Sequence, residues 1–177
     1  MKEEFKNSYD RMTVFSTSAT VGMLILLIAL VIITKSGTAA TALISCLYIF
    51  VYIFSPTGYT VTDEDITVHR HARPFVIPVK EILSVEESEV NILNGAGNSL
   101  MSGGLFGWFG VTRTRELGKF YIYARKQKNY VLLRTREKTY VLTPDEKEKF
   151  VSGLNSLLLK NGGPDSPVSP AETNKAV

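Results

Sequence analysis

The chain has 177 residues, 45% of them hydrophobic, with 20 Lys and Arg against 17 Asp and Glu. Its one cysteine, Cys46, excludes an intrachain disulfide framework and a thiolate metal cluster. From Ser55 onward 16 basic residues meet 14 acidic ones, a near-neutral balance that gives nucleic-acid binding no electrostatic support.

Two apolar runs come first. Residues 14–34 and 37–54 contain no charged side chain, and their lengths of 21 and 18 residues fit the roughly 17–25 that a helix needs to cross a bilayer core. Only Lys35 and Ser36 separate them. This predicts a transmembrane helical hairpin behind an N-terminal flank, residues 1–13. A secretory signal is the competing reading, because Ala40-Thr41-Ala42 resembles a cleavage site. Signal cores are shorter, about 7–15 apolar residues, and cleavage there would leave a second run too short to span. The uncleaved anchor is therefore preferred. Lys2, Lys6 and Arg11 precede the first run, Lys35 stands alone in the loop, and Arg70 and Arg73 follow the second. The richer side faces the cytoplasm, which places both termini and the following domain there. Ser18 and Gly22 on one helix, and Thr38, Ala42 and Cys46 on the other, recur every four residues. Small residues at that spacing allow close packing within the hairpin or between two copies, so the oligomeric state stays open.

Short alternating segments follow. Residues 58–62, 66–70, 75–77, 82–85, 119–125, 130–134 and 139–142 read as strands broken by turn signals such as Asp63-Glu64-Asp65. Phe120, Ile122 and Ala124 share one face of their strand, Tyr121 and Tyr123 the other. A helix closes the series. Thr143 is expected as its N-cap, Pro144 at the first helical position and Glu146 reaching back to the cap. Phe150, Val151, Leu154, Leu157 and Leu158 form its apolar stripe. Asn161-Gly162-Gly163-Pro164 ends it. Residues 58–161 thus form one all-β barrel or sandwich capped by a C-terminal α-helix, and residues 162–177 a polar, disordered tail.

Gly103-Gly104-Leu105-Phe106-Gly107-Trp108-Phe109-Gly110, running into Leu117-Gly118-Lys119-Phe120, is the most specific stretch. With Val131-Leu132-Leu133 and Tyr140-Val141-Leu142-Thr143-Pro144 it resembles the bacterial pleckstrin-homology (PH)-like domain families that sit behind short membrane anchors. The resemblance covers about residues 59–158. It implies a two-sheet barrel plugged by a helix and an address at the bacterial cytoplasmic membrane, and it supplies no activity. Phosphoinositide-binding relatives place basic residues in the loop between their first two strands. Here that loop is expected at Asp63-Glu64-Asp65, whose carboxylates would repel a phosphorylated headgroup.

The glycine-aromatic run has two readings. Its rings fill the mouth of the barrel, or Trp108 and Phe109, with Leu105 and Phe106, reach the membrane interface or a protein partner while Arg113 and Arg115 meet lipid phosphates. It lacks the Lys-Ser/Thr of a phosphate loop. Arg113, Arg115 and Lys119, and separately Arg125, Lys126 and Lys128, form two basic clusters that read first as solvated turns. His69 and His71, two residues apart, are too few ligands for zinc. No nucleophile–base motif, metal box or dinucleotide fingerprint is present, and no cofactor is expected. The expected function is a non-enzymatic, membrane-anchored interaction module with lipid or a protein as partner. The alternative is a membrane-associated enzyme, and a deep pocket of convergent charged groups would favour it.

Overall fold

The computed structural model describes residues 2–88, Leu93 and residues 97–160. Strand β1 (Lys2–Lys6) comes first, followed by helices α1 (Arg11–Thr34) and α2 (Thr38–Phe54). Strands β2 (Pro56–Thr62), β3 (Asp65–Arg70), β4 (Phe75–Pro78) and β5 (Ile82–Ser88) follow. After them come β6 (Gly97–Gly103), β7 (Trp108–Thr114), β8 (Gly118–Ala124), β9 (Tyr130–Thr135), β10 (Thr139–Leu142) and helix α3 (Lys147–Lys160). The tail expected over 162–177 lies outside the described residues.

The strands form two sheets. One runs β1-β2-β3-β4, all antiparallel, and the other runs β5-β9-β10-β8-β7-β6. In the second sheet β10 slots between β8 and β9, parallel to β8 and antiparallel to β9. Phe5, Tyr59, Ile66, Val68 and Ile77 from the first sheet meet Val85, Val131, Leu133 and Leu142 from the second. Helix α3 closes this core with Phe150, Val151, Leu154 and Leu157, so the expected sandwich with a helical plug is the observed fold. Phe150 and Leu154 are fully buried. The second sheet buries its other face too. Phe120, Ile122, Ala124, Tyr130, Leu132 and Val141 form a second cluster, covered by Met101 and Trp108 from β6 and β7. Burial on both faces explains why β9 reads as an unbroken apolar run rather than an alternating one.

Four expectations are corrected. Residues 2–6, expected within the N-terminal flank, are a strand of the domain. Their KEEFK sequence pairs with β2 (Lys6↔Gly58, Lys2↔Thr62) and buries Phe5 against Phe150 at 5.0 Å. A strand with one inward apolar residue leaves no alternating signal. β1 makes the helices an insertion between the first two paired strands. The Asp63-Glu64-Asp65 turn therefore joins the second and third strands of the chain, β2 and β3.

Third, β6 and β7 are strands although rich in glycine. Gly110 sits at φ 133°, where a Cβ would lie 2.4 Å from the Leu100 carbonyl oxygen, so pairing there requires glycine. Fourth, Thr143 does not cap α3. The helix begins at Lys147, and the Glu146 carbonyl accepts its first bond, from the Phe150 N–H at 2.9 Å. Pro144 is buried in the connection and the Glu146 side chain is exposed.

Candidate functional site

Lys6 and Gly58 are partners, so the chain leaves the domain into α1 and returns from α2 at the same end. The connections β3–β4, β6–β7, β8–β9 and β10–α3 gather there as well.

A buried polar knot fixes the departure point. Asn7, 2% exposed, donates from Nδ2 to the Tyr59 hydroxyl at 2.8 Å. The same hydroxyl accepts from the Thr143 N–H at 3.2 Å and donates to the Tyr123 carbonyl at 2.5 Å. Burial pushes the Tyr59 hydroxyl far above its ordinary pKa, so it remains a donor at every accessible pH. Thr143 Oγ1 donates to Asn7 Oδ1 at 3.2 Å and accepts from the Arg125 N–H at 3.1 Å, which is the work of this side chain in place of capping. Asp145 accepts from the Ser8 hydroxyl at 2.5 Å and from the Lys126 ammonium. Burial alone would raise its carboxyl, but these bonds prevail and hold it below the ordinary range.

Helix α1 then starts on a true cap. Asp10 Oδ1 accepts from the Thr13 N–H at 2.7 Å, and its other oxygen accepts from the Gln127 N–H at 3.2 Å. Thr13, buried, donates its hydroxyl to the Arg125 carbonyl at 3.1 Å. One turn on, Thr17 donates to the Gly104 carbonyl at 3.3 Å and accepts from the Phe106 N–H at 3.1 Å. The glycine-aromatic turn is thus docked on the first two turns of α1. Its tight path puts Phe106 at φ 56° and Gly107 at φ 120°, where a Cβ would lie 2.8 Å from the Ala124 carbonyl oxygen.

Between these elements lies a pocket of about 450 Å³. Tyr9, Val14 and Ser18 from the start of the insertion line it together with Tyr52, His71 and Phe106. Phe106 meets Tyr52 edge-on at 5.2 Å, and His71 stacks on Tyr52 at 4.3 Å. Arg125 also lines the pocket, with its guanidinium 4.0 Å from the Tyr9 ring centre. One of its terminal nitrogens donates to the Asn7 carbonyl at 3.2 Å. Its Nε is buried and meets no acceptor among the described residues. Burial lowers its pKa, partly offset by the neighbouring tyrosines and Asp145, and a guanidinium stays cationic under that change.

The structure divides the residues singled out from the sequence. Leu105 and Phe106 are half-buried in the turn on α1, and Phe106 lines the pocket. Trp108 is half-buried against the second cluster, and Phe109 is 9% exposed, so these two rings face the domain. Arg113 pairs with Lys119 near the far end of β7, and exposed Arg115 lies in the turn beyond it. Five residues along a strand span about 16 Å, which separates Arg113 from Trp108. The cluster beside the helices is instead Arg125, Lys126 and Lys128, joined by Arg11, Arg70 and Arg73. His69 bonds Thr60 at 2.6 Å on its strand while His71 turns to Tyr52, so the two histidines diverge. Tyr9, Thr13, Thr17 and Tyr52 carried no motif. Their one trace was hydroxyl groups four apart, Thr13 and Thr17, at the start of an otherwise apolar helix.

A family model described as a bacterial PH domain matches residues 57–158, from Thr57 in β2 to Leu158 in α3. It leaves out β1, α1 and α2. Neither a curated protein nor a solved structure matches the chain.

Proposed function

The chain belongs to the bacterial PH domain family, and from that premise we propose that it is a membrane-anchored interaction module held against the cytoplasmic membrane by the inserted hairpin. PH-like domains are typically non-enzymatic interaction modules. The observation that carries the anchor is the insertion itself. Helix α1 spans 24 residues with no charged side chain after Arg11, and its outer surface is apolar and exposed, including Phe15, Leu26 and Ile33. A soluble core helix would be buried. A cleaved signal would remove β1, whose Phe5 belongs to the main core. Helix α2 is shorter, 17 residues, and returns the chain to the partner strand of β1.

This arrangement supports a rigid tether. Asn7, Thr13 and Thr17 bind the domain directly, so the domain is pressed toward the bilayer in one orientation. The end carrying Arg70, Arg73, Arg125 and Lys128 would then face anionic headgroups, each exposed charge adding about 1 kcal/mol of attraction. Carbonate extraction of membranes tests the reading. The full chain is expected to stay in the pellet. A chain with residues 11–54 replaced by a short Gly-Ser turn is expected to move to the supernatant, still folded because β1 and β2 remain adjacent. Release of the full chain by carbonate would refute the anchor.

A further inference from the structure

We propose that the pocket between the helices and the domain binds one anionic phospholipid, with its phosphate on Arg125 and its glycerol and upper acyl chain along Val14 and Phe106. The inference rests on the reading that α1 and α2 enter a membrane. Six of the nine lining residues come from β1–α1 and α2, outside the matched span 57–158. The site therefore belongs to this chain's insertion rather than to the shared domain.

The chemistry of the walls selects the ligand. Arg125 is held in place by Tyr9 and the Asn7 carbonyl, while its buried Nε still lacks an acceptor among the described residues. A guanidinium that lines the pocket and stays cationic matches a phosphate oxygen. His71, stacked on Tyr52, adds a second nitrogen-bearing side chain to the lining. No carboxylate lines the pocket. The nearest acids are committed elsewhere, Asp10 to the Thr13 and Gln127 amides and Asp145 to Ser8 and Lys126. The remaining wall is mostly apolar, with hydroxyls from Thr13, Thr17 and Ser18, which suits an acyl ester better than a free sugar phosphate. About 450 Å³ holds a headgroup and glycerol but not two whole chains. The chains would continue along α1 and α2, whose outer surfaces are already apolar. Basic pockets at the cytoplasmic ends of membrane helices bind anionic headgroups on these terms.

The test uses the full chain in a nonionic detergent, titrated calorimetrically with dioctanoyl phosphatidylglycerol. Dioctanoyl phosphatidylcholine and inorganic phosphate form separate arms. One saturable site for phosphatidylglycerol is expected, about tenfold tighter than for phosphatidylcholine, with no saturation by inorganic phosphate in the same range. Arg125→Gln is expected to weaken binding about tenfold. Because Arg125 also bonds the Asn7 carbonyl, a second variant carries the decision. Ser18→Trp, at an exposed helical position, fills the pocket and leaves every bond of Arg125 intact. It is expected to abolish binding with an unchanged melting temperature in the absence of lipid. Equal affinity for both lipids, equal affinity for inorganic phosphate, or wild-type affinity in Ser18→Trp would each overturn the proposal. A chain that resists carbonate yet gives one of these results keeps its anchor and loses the lipid site. A chain that carbonate releases loses the anchor first.

Discussion

Phe5→Ala removes the one side chain by which β1 enters the core. Phe5 is 3% exposed and packs edge-on against Phe150, itself fully buried. Truncating a buried phenylalanine costs about 3–5 kcal/mol, and little of the cavity can relax because Tyr59 and Phe150 are held by their own neighbours. With a urea dependence of about 2 kcal/mol/M for a domain of this size, the midpoint should fall by about 2 M. Trp108, the sole tryptophan, lies in the second cluster and reports unfolding by fluorescence. The full chain in detergent is the sample. Phe15→Ala, on the exposed face of α1, is the control and should leave the midpoint unchanged. If Phe5→Ala behaves like the control, β1 is not part of the domain and the insertion argument fails.

Leu154→Ala should cost about 2–5 kcal/mol in the same assay, since Leu154 is fully buried beneath the plug helix. Thr143→Val should cost about 1–3 kcal/mol by leaving the Arg125 N–H and Asn7 Oδ1 unpaired and should be non-additive with Asn7→Ala, whereas a helix-cap loss would leave the two additive. Gly110→Ala should destabilise by about 1–3 kcal/mol or more, because its Cβ meets the Leu100 carbonyl at a φ that disfavours side chains. For Asp145 the folded carboxyl is held below its unfolded value, so its contribution is present above the unfolded pKa and is lost as pH falls below about 4. Asp145→Asn should flatten that acid limb of a stability–pH profile, and an unchanged limb would assign the acid sensitivity to other carboxylates.

The parts legible in the sequence were those with strong period or length. The apolar runs, the alternation around Tyr121 and Tyr123, and the stripe through Phe150 and Leu154 each mapped onto the element expected. Where tertiary contact rather than local pattern decides structure, the reading ran out. β1 is a charged strand whose identity depends on β2, 50 residues away in sequence and adjacent only because a hairpin intervenes. Thr143 has the residue type and spacing of a helix cap, yet Tyr59, Asn7 and Arg125 offered its hydroxyl and amide better partners. Gly110 in β7 and Gly107 just before it hold positions that make sense only beside the Leu100 carbonyl and the end of β8. The pocket was invisible for the same reason. Tyr9 and Tyr52 lie 116 and 73 residues from Arg125 along the chain, and only the insertion of the hairpin brings them together.

Cysteine accessibility tests the tethering arrangement most directly. In a Cys46→Ser background, single cysteines replace Lys2 on β1, Ser36 in the hairpin loop and Glu137 in the β9–β10 turn, all exposed positions. Intact cells are treated with an impermeant maleimide, then lysed and treated again. Because β1 and β2 are paired on one side of both helices, Lys2→Cys and Glu137→Cys must behave alike and Ser36→Cys oppositely, labelling only Ser36→Cys before lysis. Labelling of all three to the same extent before lysis, or of Lys2→Cys together with Ser36→Cys, would contradict the inserted hairpin as a membrane anchor.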